Sequence, residues 1–148
     1  MTDIDPAQTA VDTATRFLRL VEDRDLSAAA QCLAPDVEIV FPGGRRFSNL
    51  ESQIESSRER FRSVTKTLET CEVVAKDREM VVYVTGQLSG VDGYGDAFDS
   101  VRFVDRIVIE EGLITRHWVW NDLAEEGIVP LRPGDGSTTR SSTADDST

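Results

Sequence analysis

FDSVRFVDRIVIEEGLITRHWVWNDLA, residues 98–124, decides the fold. Apolar and polar residues alternate from Val101 to Ile109 and again from Leu113 to Trp120, the period of a half-buried strand. Between them, Glu110-Glu111-Gly112 reads as a three-residue hairpin loop. Such a loop needs its last residue in the left-handed region, which glycine enters without strain. With that loop Ile109 pairs with Leu113, and Asp105 lies directly opposite His117. One face then holds Val101, Phe103, Asp105, Ile107 and Ile109 with Leu113, Thr115, His117, Val119 and Asn121. The other holds Arg102, Val104, Arg106 and Val108 with Ile114, Arg116, Trp118 and Trp120. A two-residue loop would move the register by one and part Asp105 from His117.

Outward from the hairpin, 148 residues suit one domain. A net charge of −11 repels nucleic acid and anionic lipid, so neither is expected as a partner. No apolar run approaches the roughly 20 residues of a membrane span. The opening MTDIDPAQTA is too acidic and polar for a secretory signal. Cys32 and Cys71 lack a CxxC partner and read as buried thiols of a cytoplasmic protein. With one histidine and no cysteine cluster, no metal is expected, and no other cofactor is implied.

Residues 1–8 are expected to be flexible, 9–129 to form the domain, and the Ser/Thr-rich stretch 130–148 to be disordered. Helical spacing of Ala10, Ala14, Phe17 and Val21 predicts a helix over Thr9–Asp23. Asp25 caps a second over Leu26–Leu33, which Pro35 closes. Val37–Phe41 is a short strand ending in the turn Pro42-Gly43-Gly44. Ser48 and Glu51 have the spacing of a capping box for a third helix, Asn49–Arg62. Strands follow over Thr65–Ala75 and Met80–Leu88, with a loop at Gly90–Gly95. Helices first and strands afterwards define an α+β class.

This order, with RFLRLVEDRDLSAAAQCLAPDVEIVFPGG near the start and FVDRIVIEEGLITRHWVWNDLAE near the end, resembles the SnoaL-like branch of the NTF2-like superfamily. The resemblance covers about residues 9–127. It implies a cone: three N-terminal helices packed in a curved, mostly antiparallel sheet around an apolar pocket. Phe17, Phe41, Tyr83, Phe103, Val119 and Asn121 would be its substrate-binding residues. Members include polyketide cyclases, ketosteroid isomerases, dehydratases, epoxide hydrolases and non-catalytic subunits. Of the three isomerase positions, held here by Phe17, Phe41 and Asp105, only Asp105 matches. The limonene-type epoxide hydrolase aspartate falls on Val119, and Met80–Leu88 has no Arg-x-Asp. Cyclases and dehydratases of this fold often use a His–Asp pair, and Asp105 with His117 resembles one.

A carboxylate beside an imidazole fixes its tautomer and leaves the other nitrogen free for proton transfer. That suits removal of a proton α to a carbonyl or assistance to a leaving hydroxide. The expected function is therefore a cofactor-independent lyase, dehydratase, isomerase or cyclase acting on a small apolar carbonyl or hydroxyl compound. The alternative is a non-catalytic protein that holds an apolar ligand, with Asp105 and His117 a satisfied polar pair. Asn121 could orient a substrate carbonyl, with a turn role for Asp122. Tyr83 and Tyr94 are possible acids or, equally, a core and a loop residue. Arg45 and Arg46 could meet a substrate carboxylate or be solvated. Trp118 and Trp120 face outward and need cover, from a second copy of the chain or from the C-terminal segment.

Overall fold

The computed structural model describes residues 5–130. Helix α1 spans Pro6–Glu22 and starts three residues earlier than its apolar spacing suggests. Asp5 is the reason: its carboxylate accepts from the Ala7 amide at 3.0 Å, and Pro6 fits the first helical position. Part of the expected flexible segment is thus helical, whereas residues 1–4 and 131–148 lie outside the described residues. Helix α2 is Leu26–Gln31, capped by Asp25. It stops before Pro35, which lies inside strand β1, Leu33–Phe41.

A short turn, Pro42–Gly44, leads into β2, Arg45–Phe47, and then α3, Leu50–Ser57. The cap of α3 is Asn49, whose side chain accepts from the Ser52 amide at 2.8 Å. It stands where the expected Ser48–Glu51 box would have begun one residue earlier. Helix α3 is also shorter than expected, because Phe61 already belongs to β3, Phe61–Ala75. Strand β4, Glu79–Asp92, takes in the first three residues of the expected Gly90–Gly95 loop, the turn before β5 lies at 93–96, and β5 and β6 are Ala97–Glu110 and Leu113–Asn121.

The six strands form one sheet in the order β2-β1-β6-β5-β4-β3. Only β1 and β6 are parallel. The helices cover one face, and Ala14, Phe17, Leu18, Leu50 and Ile54 pack on Val82, Val84, Phe103 and Ile107 in one core. This is the expected α+β cone of helices in a curved, mostly antiparallel sheet. Among the described residues no helix is long and apolar enough to cross a membrane.

The β5–β6 hairpin corrects the expected register. Glu110 pairs with Leu113, so the loop has two residues. Both Glu111 and Gly112 have positive φ, 52° and 80°, as in a type I′ turn. A bulge between Val108 and Ile109 leaves Thr115 as the extra residue on β6. The turn moves the register by one, and the bulge moves it by one more. Asp105 therefore opposes Val119, and His117 opposes Ile107. Two single shifts restore the face, so Asp105 and His117 still point into the cone as diagonal neighbours. Only the turn end changes face: Ile114 is buried and Leu113 is exposed.

Candidate active site

Asp105 sits on β5 in the middle of the sheet, between Val84 on β4 and Val119 on β6, with no solvent exposure. A carboxylate in such a place must be compensated. Lys66 on β3 supplies the charge, its Nζ donating to Oδ2 at 2.5 Å. The chain of contacts crosses β4, where Gly86 lies opposite Phe103. A Cβ at Gly86 would fall 1.9 Å from the Thr67 carbonyl oxygen and 3.0 Å from the Phe103 ring. The Lys66 ammonium rests over that ring, 4.9 Å from its centre.

His117 Nε2 approaches the same Oδ2 to 3.3 Å. The contact is not counted as a hydrogen bond, and both His117 Nε2 and Asp105 Oδ1 are buried without a hydrogen-bond partner. Burial pushes the Asp105 carboxyl up, while Lys66 and His117 pull it down and hold it at about 2. Phe17 and Phe41 meet the imidazole edge-on, with ring centres at 5.5 and 6.1 Å. Phe17 comes from α1, and β1 brings Phe41 beside β6 through the pair Ile39–His117.

His117 and Lys66 line a cavity of about 90 Å³, walled by Phe17, Phe41, Ile54, Leu88 and Val119. Four of the six expected substrate-binding residues, Phe17, Phe41, Val119 and Asn121, line it. Tyr83 does not: it pairs with Arg106 and meets that guanidinium at 3.4 Å, away from the cavity. Phe103 is also outside the lining, as the buried platform under Lys66. The Asn121 side chain accepts from the Leu123 amide at 3.1 Å, which gives Asn121 a turn role, while Asp122 pairs with Arg102 at 2.6 Å. Larger hollows of about 330 and 550 Å³ are more open and lack His117.

Two residues of this site were missed in the sequence. Lys66 breaks the inward series Val64, Lys66, Leu68, and a charge on the apolar phase of a strand was the available signal. Arg60 follows α3 and lines the cavity, with its Nε buried and unpartnered. No local pattern marks it.

Helices on one face of a curved, mixed six-stranded sheet are the architecture of the NTF2-like class of fold. The SnoaL-like domain family matches residues 14–117, and the chain belongs to it. No curated protein matches the chain. Solved structures are similar at low identity. An NTF2-like protein of unknown function from Burkholderia pseudomallei K96243 is 19% identical, with a TM-score of 0.67 over 80% of this chain and 94% of its own. A Jannaschia sp. CCS1 protein described as a SnoaL-like polyketide cyclase is 20% identical, with a TM-score of 0.59 over 90% and 100%. TerC, co-crystallised with polyporic acid, is 18% identical, with a TM-score of 0.63 over 81% and 97%.

Proposed function

We propose that this protein is a cofactor-independent enzyme that uses His117 as a general base on a small, largely apolar carbonyl or hydroxyl compound. The observation that carries this reading is the buried Asp105 carboxylate, placed 3.3 Å from the one imidazole that lines an apolar cavity. Asp105 holds the Nε2 side of the ring, leaving Nδ1 to take a proton α to a carbonyl or to return it to a leaving hydroxide. Phe17 and Phe41 keep the ring in place. Lys66 is the adjacent positive group that can stabilise charge developing on a substrate oxygen. Lyase, dehydratase, isomerase and cyclase reactions all draw on these two roles. A polyketide-type compound is a natural starting point, given the description of the Jannaschia protein as a SnoaL-like polyketide cyclase.

A screen of cyclic ketones and hydroxy ketones for solvent-deuterium exchange tests the reading. Asp105→Asn and His117→Ala should each lower exchange by about 10²-fold or more, and the double variant little further. Exchange equal to that of the wild type in either variant contradicts it. The rival reading, a non-catalytic binding protein, draws on the 2.5 Å contact that already neutralises Asp105 with Lys66. Binding that survives both substitutions, with no exchange in any form, favours it.

The same reading includes a homodimer through the outer sheet face and a cytoplasmic location, with Cys32 and Cys71 as free thiols. Trp120 is 52% exposed and stacks edge-on to Trp118, and Arg106 covers the Trp118 ring at 4.7 Å. Aromatic and guanidinium groups of this kind are enriched at interface cores. Trp120→Glu should give a monomer by sedimentation. A wild-type chain that is monomeric at micromolar concentration removes the dimer.

A further inference from the structure

The cavity's charge runs against that of the chain. Net charge is −11 overall, yet the cavity is lined by four cationic side chains, Arg24, Arg45, Arg60 and Lys66, and one carboxylate, Glu22. Glu22 is already engaged: it pairs with Arg19 at 3.1 Å and accepts from the Lys66 amide at 2.7 Å. Lys66 is held by Asp105, and Arg24 donates to the Val21 carbonyl. Arg45 and Arg60 are different. Arg45 uses Nε on the Pro42 carbonyl and Nη1 on the Ser56 hydroxyl, both neutral acceptors. Arg60 Nε is buried with no acceptor at all.

Burial, and for Arg60 the nearby Arg45 charge, weaken the hold of both guanidiniums on their protons, with Glu59 acting the other way. Two partly buried like charges without a carboxylate hydrogen bond are costly unless something anionic arrives. Arg46 shows the contrast: it points outward and pairs with Glu38 at 2.6 Å.

We propose that Arg45 and Arg60 form an anion subsite, so that the ligand is a small apolar carboxylate or acidic enol held by its charged end, with its ring among Phe17, Phe41 and Leu88. Planar guanidiniums match a carboxylate in two-point geometry. The low-dielectric walls concentrate their field despite the acidic exterior. The cavity volume of about 90 Å³ limits the ligand to a small one. The assignment rests on the cavity being the substrate site.

Calorimetry with matched probes tests it: benzoate against benzamide, and phenylacetate against phenylacetamide. Each acid should bind at least about tenfold more tightly than its amide. Arg45→Gln and Arg60→Gln should each remove most of that preference while leaving amide binding in place. In the wild-type protein, the Arg60 Nε–H resonance should move with the acids and stay with the amides. Equal binding of acid and amide, failure of both at millimolar concentration, or an unmoved Arg60 resonance overturns the subsite. Failure of the catalytic reading shows elsewhere, as unchanged exchange in Asp105→Asn with the acid preference intact.

Discussion

The two ends of the β5–β6 hairpin obey different rules. At the turn end, Glu110–Leu113 and Ile109–Ile114 pair in regular order, set by Glu111 and Gly112 with positive φ. At the site end, beyond the Thr115 bulge, Phe103–Asn121, Asp105–Val119 and Ile107–His117 pair one residue out of step with the turn. Local backbone chemistry fixes the first end. Burial fixes the second, because without the shift β6 would turn His117 to solvent and Trp118 inward. The bulge joins two registers that neither end could satisfy alone. Energetic consequences should differ accordingly, large and electrostatic at the site end, smaller and conformational at the turn.

The largest effect should come from stranding the buried charge. Lys66→Met leaves Asp105 with His117 as its remaining charge partner among the described residues, and should cost about 3 kcal/mol in a denaturant melt. Asp105→Asn should cost less, and the double variant should regain part of the loss. A Lys66→Met melt matching the wild type would mean that the ammonium does not compensate the carboxylate.

Next comes pH. The Asp105 carboxyl is lowered from 3.8 to about 2 in the folded chain. Its ionisation therefore contributes stability that is present above about pH 4 and lost as pH falls through 2. The amount is roughly 2 kcal/mol. The acid limb of stability against pH should flatten by that much in Asp105→Asn. Superimposable limbs would remove the buried carboxylate from the electrostatics of the fold.

The turn end should respond more weakly. Gly112 has φ 80° and nothing within 4 Å of an added Cβ, so a substitution meets strain without a clash. Gly112→Val should cost more than about 1 kcal/mol and leave the inner face intact. An unchanged denaturant midpoint would show that the turn does not hold this conformation.

Smallest should be removal of Thr115 itself. Deleting the extra residue restores a regular ladder with the same partners, Ile109–Ile114 on one side and Val108–Arg116 on the other. The expected loss is smaller than that of Gly112→Val, with His117 still buried. An exposed histidine in that variant would mean that the bulge, rather than burial, selects the face.

How much of this was legible follows from the range of the forces. The strands and the Asp105–His117 face were readable because alternation is local and a buried face tolerates only even shifts. The register was not, because a bulge leaves no residue signature and Glu111, a residue type that enters positive φ only at a cost, shares the left-handed region with Gly112 and shortens the loop to two residues. The inward phase of Lys66 was visible, but its partner lies two strands away. Arg60 joins the cavity only through packing of the segment after α3. Asn49 displaced Ser48 as cap because both residue types cap equally well from sequence. Tyr83 was open between pocket and sheet, and its pairing with Arg106 decides it.

The most direct test is nitrogen-15 NMR of the histidine side chain, unambiguous because His117 is the chain's one histidine. With Asp105 beside Nε2, the neutral ring should carry its proton on Nε2 in the wild type, leaving Nδ1 unprotonated. Asp105→Asn should shift that tautomer balance, since the carboxylate that selects it is gone. A ring with its proton on Nδ1, or a spectrum identical in Asp105→Asn, would contradict the pairing of Asp105 with His117 on which the proposed chemistry depends.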